Sequence, residues 1–258
     1  MKNIIRKIVI VFCVAVIGYS VYNLASLYLE YQAIEQANQE IVDEYVTNNE
    51  DEKTAKEPSE QPVVYEPGHD SVDFDSLISR NDEVVGWIEI PDTRVDYPVL
   101  FPSSPNEYLY ADIDHGYFRA GSIFLDSRMT TPFNCNNTVI YGHNMKNGSM
   151  FHDIKQYVNQ DFAQAHPYIY FYQTDGSILA YKVIGAGVIK ATSEFYTNYN
   201  IDLPEYYQKI RDYSNISVDF DASLDNPVIM LSTCATGSSD ELNRYVVHAV
   251  LNKYYQAQ

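Results

Sequence analysis

The run from Ile8 to Leu29, IVIVFCVAVIGYSVYNLASLYL, contains no charged residue. A helix of about 20 apolar residues, rising 1.5 Å per residue, spans the hydrocarbon core of a bilayer. Lys2, Arg6 and Lys7 precede the run, and Glu30, Glu35 and Glu40 follow it. The positive-inside rule then places the N-terminus in the cytoplasm and everything after Glu30 outside. Tyr19, Tyr22 and Tyr28 fall in or near the outer interface. The rival reading is a cleaved signal peptide, with a shorter apolar region and small residues at its end. The length of the run and the lack of a small-x-small end favour a retained, single-pass anchor. Cys13 inside it reads as a small apolar filler.

An acidic segment follows. From Glu30 to Glu60, Asp and Glu outnumber Lys53 and Lys56. EYQAIEQANQEIVDEYV can continue the membrane helix. TNNEDEKTAKEPSEQP lacks apolar residues and reads as a solvated spacer. The expected organisation is a cytoplasmic tip and anchor over 1–29, an acidic stalk over 30–71 and an outer domain over 72–258. A length of 258 residues suits one such domain plus an extra segment, and 46% hydrophobic residues are enough for a core. With 17 basic against 35 acidic residues the net charge is −18, which argues against nucleic-acid partners. Three cysteines, Cys13, Cys135 and Cys234, cannot form a disulfide framework. No Cys-x-x-Cys and no short-spaced His pair appears, so no metal is expected.

The outer domain reads as mostly β. DFDSLISRND gives a short amphipathic helix, with Phe74, Leu77 and Ile78 apolar. Extended runs follow: VVGWIEI, RVDYPVL, GSIFLD, NTVIYGH, YIYFYQT, ILAYKVIGAGVIKA, PVIMLSTC and RYVVHAVLNKYY. Pro98 inside the second run points to an edge or a break. Asp175-Gly176 is a hairpin signal. Helices are expected over Ser149–Tyr157 and over Leu203–Tyr213, with Pro204 in the first turn of the latter. About eight strands with few helices argue for a barrel or a sandwich.

Three residues draw attention as chemistry. Cys234 ends an apolar strand, and an unpaired thiol outside the cell asks for a reason. A buried small hydrophobe is an equally good reading on position alone. Arg244 opens the next run. If the two strands pair antiparallel, Cys234 and Arg244 come side by side. Arg244 can then lower a thiol pKa and hold an oxyanion, although alone it reads as a strand-end surface Arg. His143 ends another strand, sharing a face with Val139 and Tyr141. His248 lies mid-strand and reads as a core or wall residue. His69, His115, His152 and His166 have no connection to Cys234.

The set resembles a sortase. The stretches that carry the likeness are YGHN (Tyr141–Asn144), LSTC (Leu231–Cys234), RYVVHA (Arg244–Ala249), VVGWIEIPDTRVDYPV and GSIFLDSR. It covers about residues 72–255. The long connection from Ala191 to Pro227, with its helix LPEYYQKIRDY, resembles class B. So does FDSLISRNDEVVGWIEI. No Asp-Pro-Trp lid of the class C kind is present. The resemblance implies an eight-stranded β-barrel with N-terminal helices and a helix before the Cys-bearing strand.

It also implies a cysteine transpeptidase that needs no cofactor. Cys234 would form a thioester at the Thr of an Asn-Pro-x-Thr-x sorting signal near the C-terminus of a secreted protein. His143 would move protons, and Arg244 would steady the oxyanion or place the peptide. The acceptor would be an amine of a peptidoglycan precursor, lipid II. Ser232 and Leu109 match groove positions, and Thr192, Phe195 and Tyr196 would form one groove side. Some class B members carry acidic residues just after the Cys; here Ala235 and Thr236 stand there, and nearby Asp240 is given no role. Cys135 matches no catalytic position. The alternatives are a pilin-polymerising sortase, an anchored cysteine hydrolase and an inactive surface-binding module.

Overall fold

A computed structural model describes residues 2–48, 66–129, 133, 135–197, 199, 202–221, 226–235 and 242–256. The chain divides into two compact units, residues 1–40 and 41–258. In the first, helix α1 (Lys2–Tyr45) begins and runs unbroken through the apolar stretch, where Ile8, Phe12, Ile17 and Leu24 are exposed. It is long and apolar enough to cross a membrane.

The second unit takes in the end of α1. Tyr45 is buried in an aromatic cluster with Phe74, Trp87 and Tyr108. Strand β1 (Val46–Thr47) pairs with β2 (Ser71–Val72), so residues 41–48, within the expected stalk, pack with the outer unit. Helix α2 (Phe74–Arg80) starts where the Asp73 side chain accepts from the Ser76 N–H. Phe74 and Leu77, three apart, face the core.

Eight strands follow: β3 (Val84–Glu89), β4 (Asp96–Leu100), β5 (Ile123–Leu125), β6 (Asn137–Tyr141), β7 (Tyr168–Gln173), β8 (Ile178–Lys190), β9 (Val228–Cys234) and β10 (Asn243–Tyr255). They close into a barrel in the order β10-β8-β7-β3-β4-β5-β6-β9. Closure decides between the two expected all-β architectures and removes the sheet edges. Two pairings are parallel, β4 with β5 and β6 with β9; the rest are antiparallel. Pro98 lies inside a closed barrel and not at an edge. It is tolerated because β5 joins β4 only at Val99 and Leu100, beyond the proline. Trp87, Val139, Phe171 and Val247 are fully buried.

Helix α4 (Leu203–Tyr213) lies where the sequence placed it, capped by Asp202, with Pro204 in its first turn. Its buried face is Leu203, Tyr206, Tyr207 and Ile210, the spacing of a helical stripe. The helix expected over Ser149–Tyr157 is a different structure. A 3₁₀ turn covers Asp153–Val158, and α3 (Gln160–Ala165) follows, capped by Asn159. The Asn147 side chain accepts from both the N–H and the hydroxyl of Ser149, and Met150 has φ 58°. These local bonds compete with helix formation at its expected start.

His248 is a wall residue of β10 with no exposure. Its Nδ1 bonds the Tyr213 hydroxyl, and its ring touches Phe195 and Tyr206. Burial depresses its pKa to about 3. The unfolded chain takes up this proton below about 6.5 and the folded chain does not, so stability is lost as pH falls from there toward 3. The contribution reaches on the order of 3 kcal/mol by pH 4. Urea midpoints measured between pH 7 and pH 4 should fall in the parent chain. They should fall less in His248→Gln, whose side chain does not titrate.

Candidate active site

Strand pairing brings the chemistry together. β9 and β10 are antiparallel, with Cys234 directly opposite Arg244. β6 runs parallel to β9 with Tyr141 opposite Ser232, so both strands end at the same rim of the barrel. His143 follows β6 by two residues. Gly142 between them is required for space: a Cβ there would lie 2.5 Å from Ile123 Cδ1 and 2.7 Å from Phe151. The Gly142 N–H donates to the Ser232 carbonyl, continuing the ladder toward His143.

Cys234, His143 and Arg244 line one groove of about 510 Å³. The Cys234 side chain is exposed, so the buried-hydrophobe reading falls away. The Cys234 carbonyl accepts from Asn144 Nδ2 at 3.0 Å, which ties the thiol-bearing strand end to the His143 turn. His143 Nε2 lies 2.7 Å from the Leu109 carbonyl, and the Tyr110 ring sits beside the imidazole at 5.3 Å. Arg244 Nη1 donates to the carbonyl of Asn243.

The groove floor is a polar aromatic chain. Tyr196 and Ser232 share a hydrogen bond of 2.8 Å, and Tyr196 stacks on Tyr141 with an interplanar angle of 7°. Tyr141 donates to Asp126, which is paired with Arg128. Burial pushes the Asp126 carboxyl up, but the Arg128 and Tyr141 hydrogen bonds and the Arg128 charge carry it below the ordinary carboxylate range. Burial pushes Tyr196 up to about 12, against the Ser232 bond and the nearby Arg244 charge. The floor therefore stays uncharged at its hydroxyls and ionic only at the Asp126–Arg128 end.

Of the expected groove residues, Leu109, Thr192, Ser232 and Tyr196 lie on the wall or floor. Phe195 does not. It is buried in the core beneath, against Tyr206, Tyr213 and His248. In a 3₁₀ turn of three residues per turn, neighbours point about 120° apart, so Phe195 and Tyr196 cannot both face the groove. Thr236 and Asp240 fall outside the described residues; Ala235 offers no carboxylate. Cys135 is half-buried away from the groove, with its Sγ against the Asn137 carbonyl and the Thr138 hydroxyl. Residues the sequence did not single out are Asp126, Arg128, Asn144 and Tyr110. The first two stand within GSIFLDSR and Asn144 ends YGHN, so part of the signal was in those stretches.

A closed β-barrel with a thiol, an imidazole and a guanidinium at one rim holds the groups that cysteine acyl transfer needs, and the chain belongs to the sortase family. The Sortase domain family matches residues 88–252, from β3 into β10. Sortase B of Listeria monocytogenes is 38% identical over 180 residues, covering 68% of this chain and 72% of that protein. Sortase B of Staphylococcus aureus is 30% identical over 185 residues, 70% of this chain and 75% of that one. A Staphylococcus aureus sortase B solved as a substrate complex aligns with TM-score 0.62 at 26% identity, over 88% of this chain and 94% of that one. A sortase B solved with triglycine aligns with TM-score 0.61 at 30% identity, over 70% and 86%. Within the family it is a class B sortase, a transpeptidase that anchors surface proteins.

Proposed function

We propose that this sortase cleaves an Asn-Pro-x-Thr-x sorting signal after Thr and joins the Thr carboxyl to an amine of the peptidoglycan precursor lipid II. The observation that carries the reading is the convergence of Cys234, His143 and Arg244 on one open groove. The Cys234 thiolate attacks the Thr carbonyl carbon. Arg244, opposite it in the ladder, donates to the oxyanion that forms. The tetrahedral adduct collapses, the C–N bond breaks, and His143 gives a proton to the departing amine. A thioester remains. The incoming amine attacks it, His143 takes the amine's proton, and the thiolate leaves. One amide is exchanged for another, so no ATP is consumed.

The substrate-bound and triglycine-bound relatives support a sorting signal as donor and an amine as acceptor. The groove floor, with neutral hydroxyls and one ion pair, suits a peptide with small polar side chains. The apolar part of α1 is the membrane anchor, with the N-terminus cytoplasmic, the acidic segment as spacer and the catalytic domain outside. The full-length enzyme in detergent should cut Asn-Pro-x-Thr peptides from a library after Thr. With triglycine added, the ligated product should replace the hydrolysed one. Release only to water at saturating amine would identify a hydrolase. Binding without cleavage would identify a binding module, and preference for a pilin Lys amine would identify a polymerase.

A further inference from the structure

His143 is held by a main-chain group. Its Nε2 lies 2.7 Å from the Leu109 carbonyl. A carbonyl oxygen only accepts, so Nε2 must carry the hydrogen, and in the neutral ring Nδ1 is the bare nitrogen. In better-known triads a side-chain carboxylate does this orienting work. The residue directly after Cys234 is Ala235, which has no such group.

The 101–122 connection is built to aim that one carbonyl. Tyr108 is fully buried, with its hydroxyl bonded to Glu83 and Asn81. The neighbouring carbonyls are taken by the returning limb. The Ser122 N–H donates to Tyr108, the Phe118 N–H to Tyr110, and the Ser122 hydroxyl to Ala111. The Leu109 carbonyl points instead to the imidazole. The limb approaches this closely because residue 121 is glycine. Gly121 has φ 58°, and a Cβ on it would lie 2.5 Å from the Leu109 oxygen and 2.6 Å from the Tyr108 oxygen. Tyr110, next in sequence, covers one side of the ring.

We infer that the Leu109 carbonyl is the positioning partner of His143: it fixes the Nε2–H tautomer, so that Nδ1 is the nitrogen that exchanges protons with the Cys234 thiol and the departing amine. The proton removed from the thiol goes to Nδ1, and the same proton passes to the leaving nitrogen. Nε2–H stays bonded to Leu109 throughout. The inference deepens the proposed acid–base role of His143 and rests on it.

Two measurements test it. In full-length Cys234→Ala protein in detergent, no thiolate can hold the ring charged. Long-range ¹H–¹⁵N correlation spectra at a pH where the imidazole is neutral should show Nε2 protonated and Nδ1 bare at His143. A protonated Nδ1 would overturn the inference. Gly121→Ala in the otherwise unchanged chain should lower kcat about 10- to 100-fold with KM within about twofold, the pattern of a misplaced acid–base group. It should also give a mixture of tautomers. Full kcat in a folded Gly121→Ala enzyme would equally overturn the inference. Should that variant not fold, the tautomer decides by itself. The spectra need no peptide, so failure of the orienting bond and failure of the transpeptidase reading give separate results.

Discussion

Cys234→Ala should abolish peptide cleavage, a loss of more than about 10⁴-fold, while leaving the fold intact. The fold should survive because the Cys234 side chain is exposed and its structural bonds are main-chain ones. Its residue pairs with Arg244 in the ladder, and its carbonyl accepts from Asn144 Nδ2. Alanine keeps all of these. Activity should vanish because no other atom in the groove can form a thioester. Two of the hydroxyls that line the groove are those of Ser232 and Tyr196, which bond one another, and burial pushes Tyr196 up to about 12. Neither supplies an anion at neutral pH. Intact-mass spectra of the parent enzyme mixed with peptide should show the acyl adduct, and the variant should show none. Melting temperatures of the two should agree within about 2 °C. Cleavage persisting in the variant would end the thioester mechanism. The same peptide with Cys135→Ala should be cut at the parent rate, because that sulfur lies away from the groove.

The parts of this site differ in how far the sequence discloses them, and the difference is one of range. Cys234 and Arg244 stand on the consecutive strands β9 and β10. Antiparallel pairing of neighbours is the commonest β connection, so their approach was readable. His143 is a different case. It reaches the same rim through the parallel pairing of β6 with β9, and the intervening chain makes two further strands together with α3 and α4. Nothing local in NTVIYGH encodes that partner; the family likeness supplied it. The alternation within each strand was legible, down to His248 as a wall residue. The 3₁₀ segments were not, because side chains there follow neither a two-residue nor a 3.6-residue period. The 149–157 region was accordingly expected to be helical, whereas Phe195 was placed in the groove by the family likeness alone. The Leu109 carbonyl was beyond reach for a simpler reason: every residue carries one, and only the tertiary structure says where it points.

His143→Ala should lower the rate of cleavage about 10³-fold. The turn should hold, since the bond from the Phe151 N–H goes to the main-chain carbonyl of residue 143. Two losses combine in this number. Without the imidazole the thiol loses the base that takes its proton. The leaving amine also departs without a proton, which makes it a very poor leaving group. The losses separate by substrate. A peptide ester at the same Thr has a leaving alkoxide that depends less on a proton donor. If His143 serves as both base and acid, the deficit on the ester should shrink to about 10-fold, and raising the pH should remove most of that remainder by ionising the thiol. On the amide, raising the pH should recover only the first part. Equal deficits on ester and amide would mean that His143 acts on the thiol alone. Proton delivery to the departing amine would then have to come from solvent, through the open side of the groove.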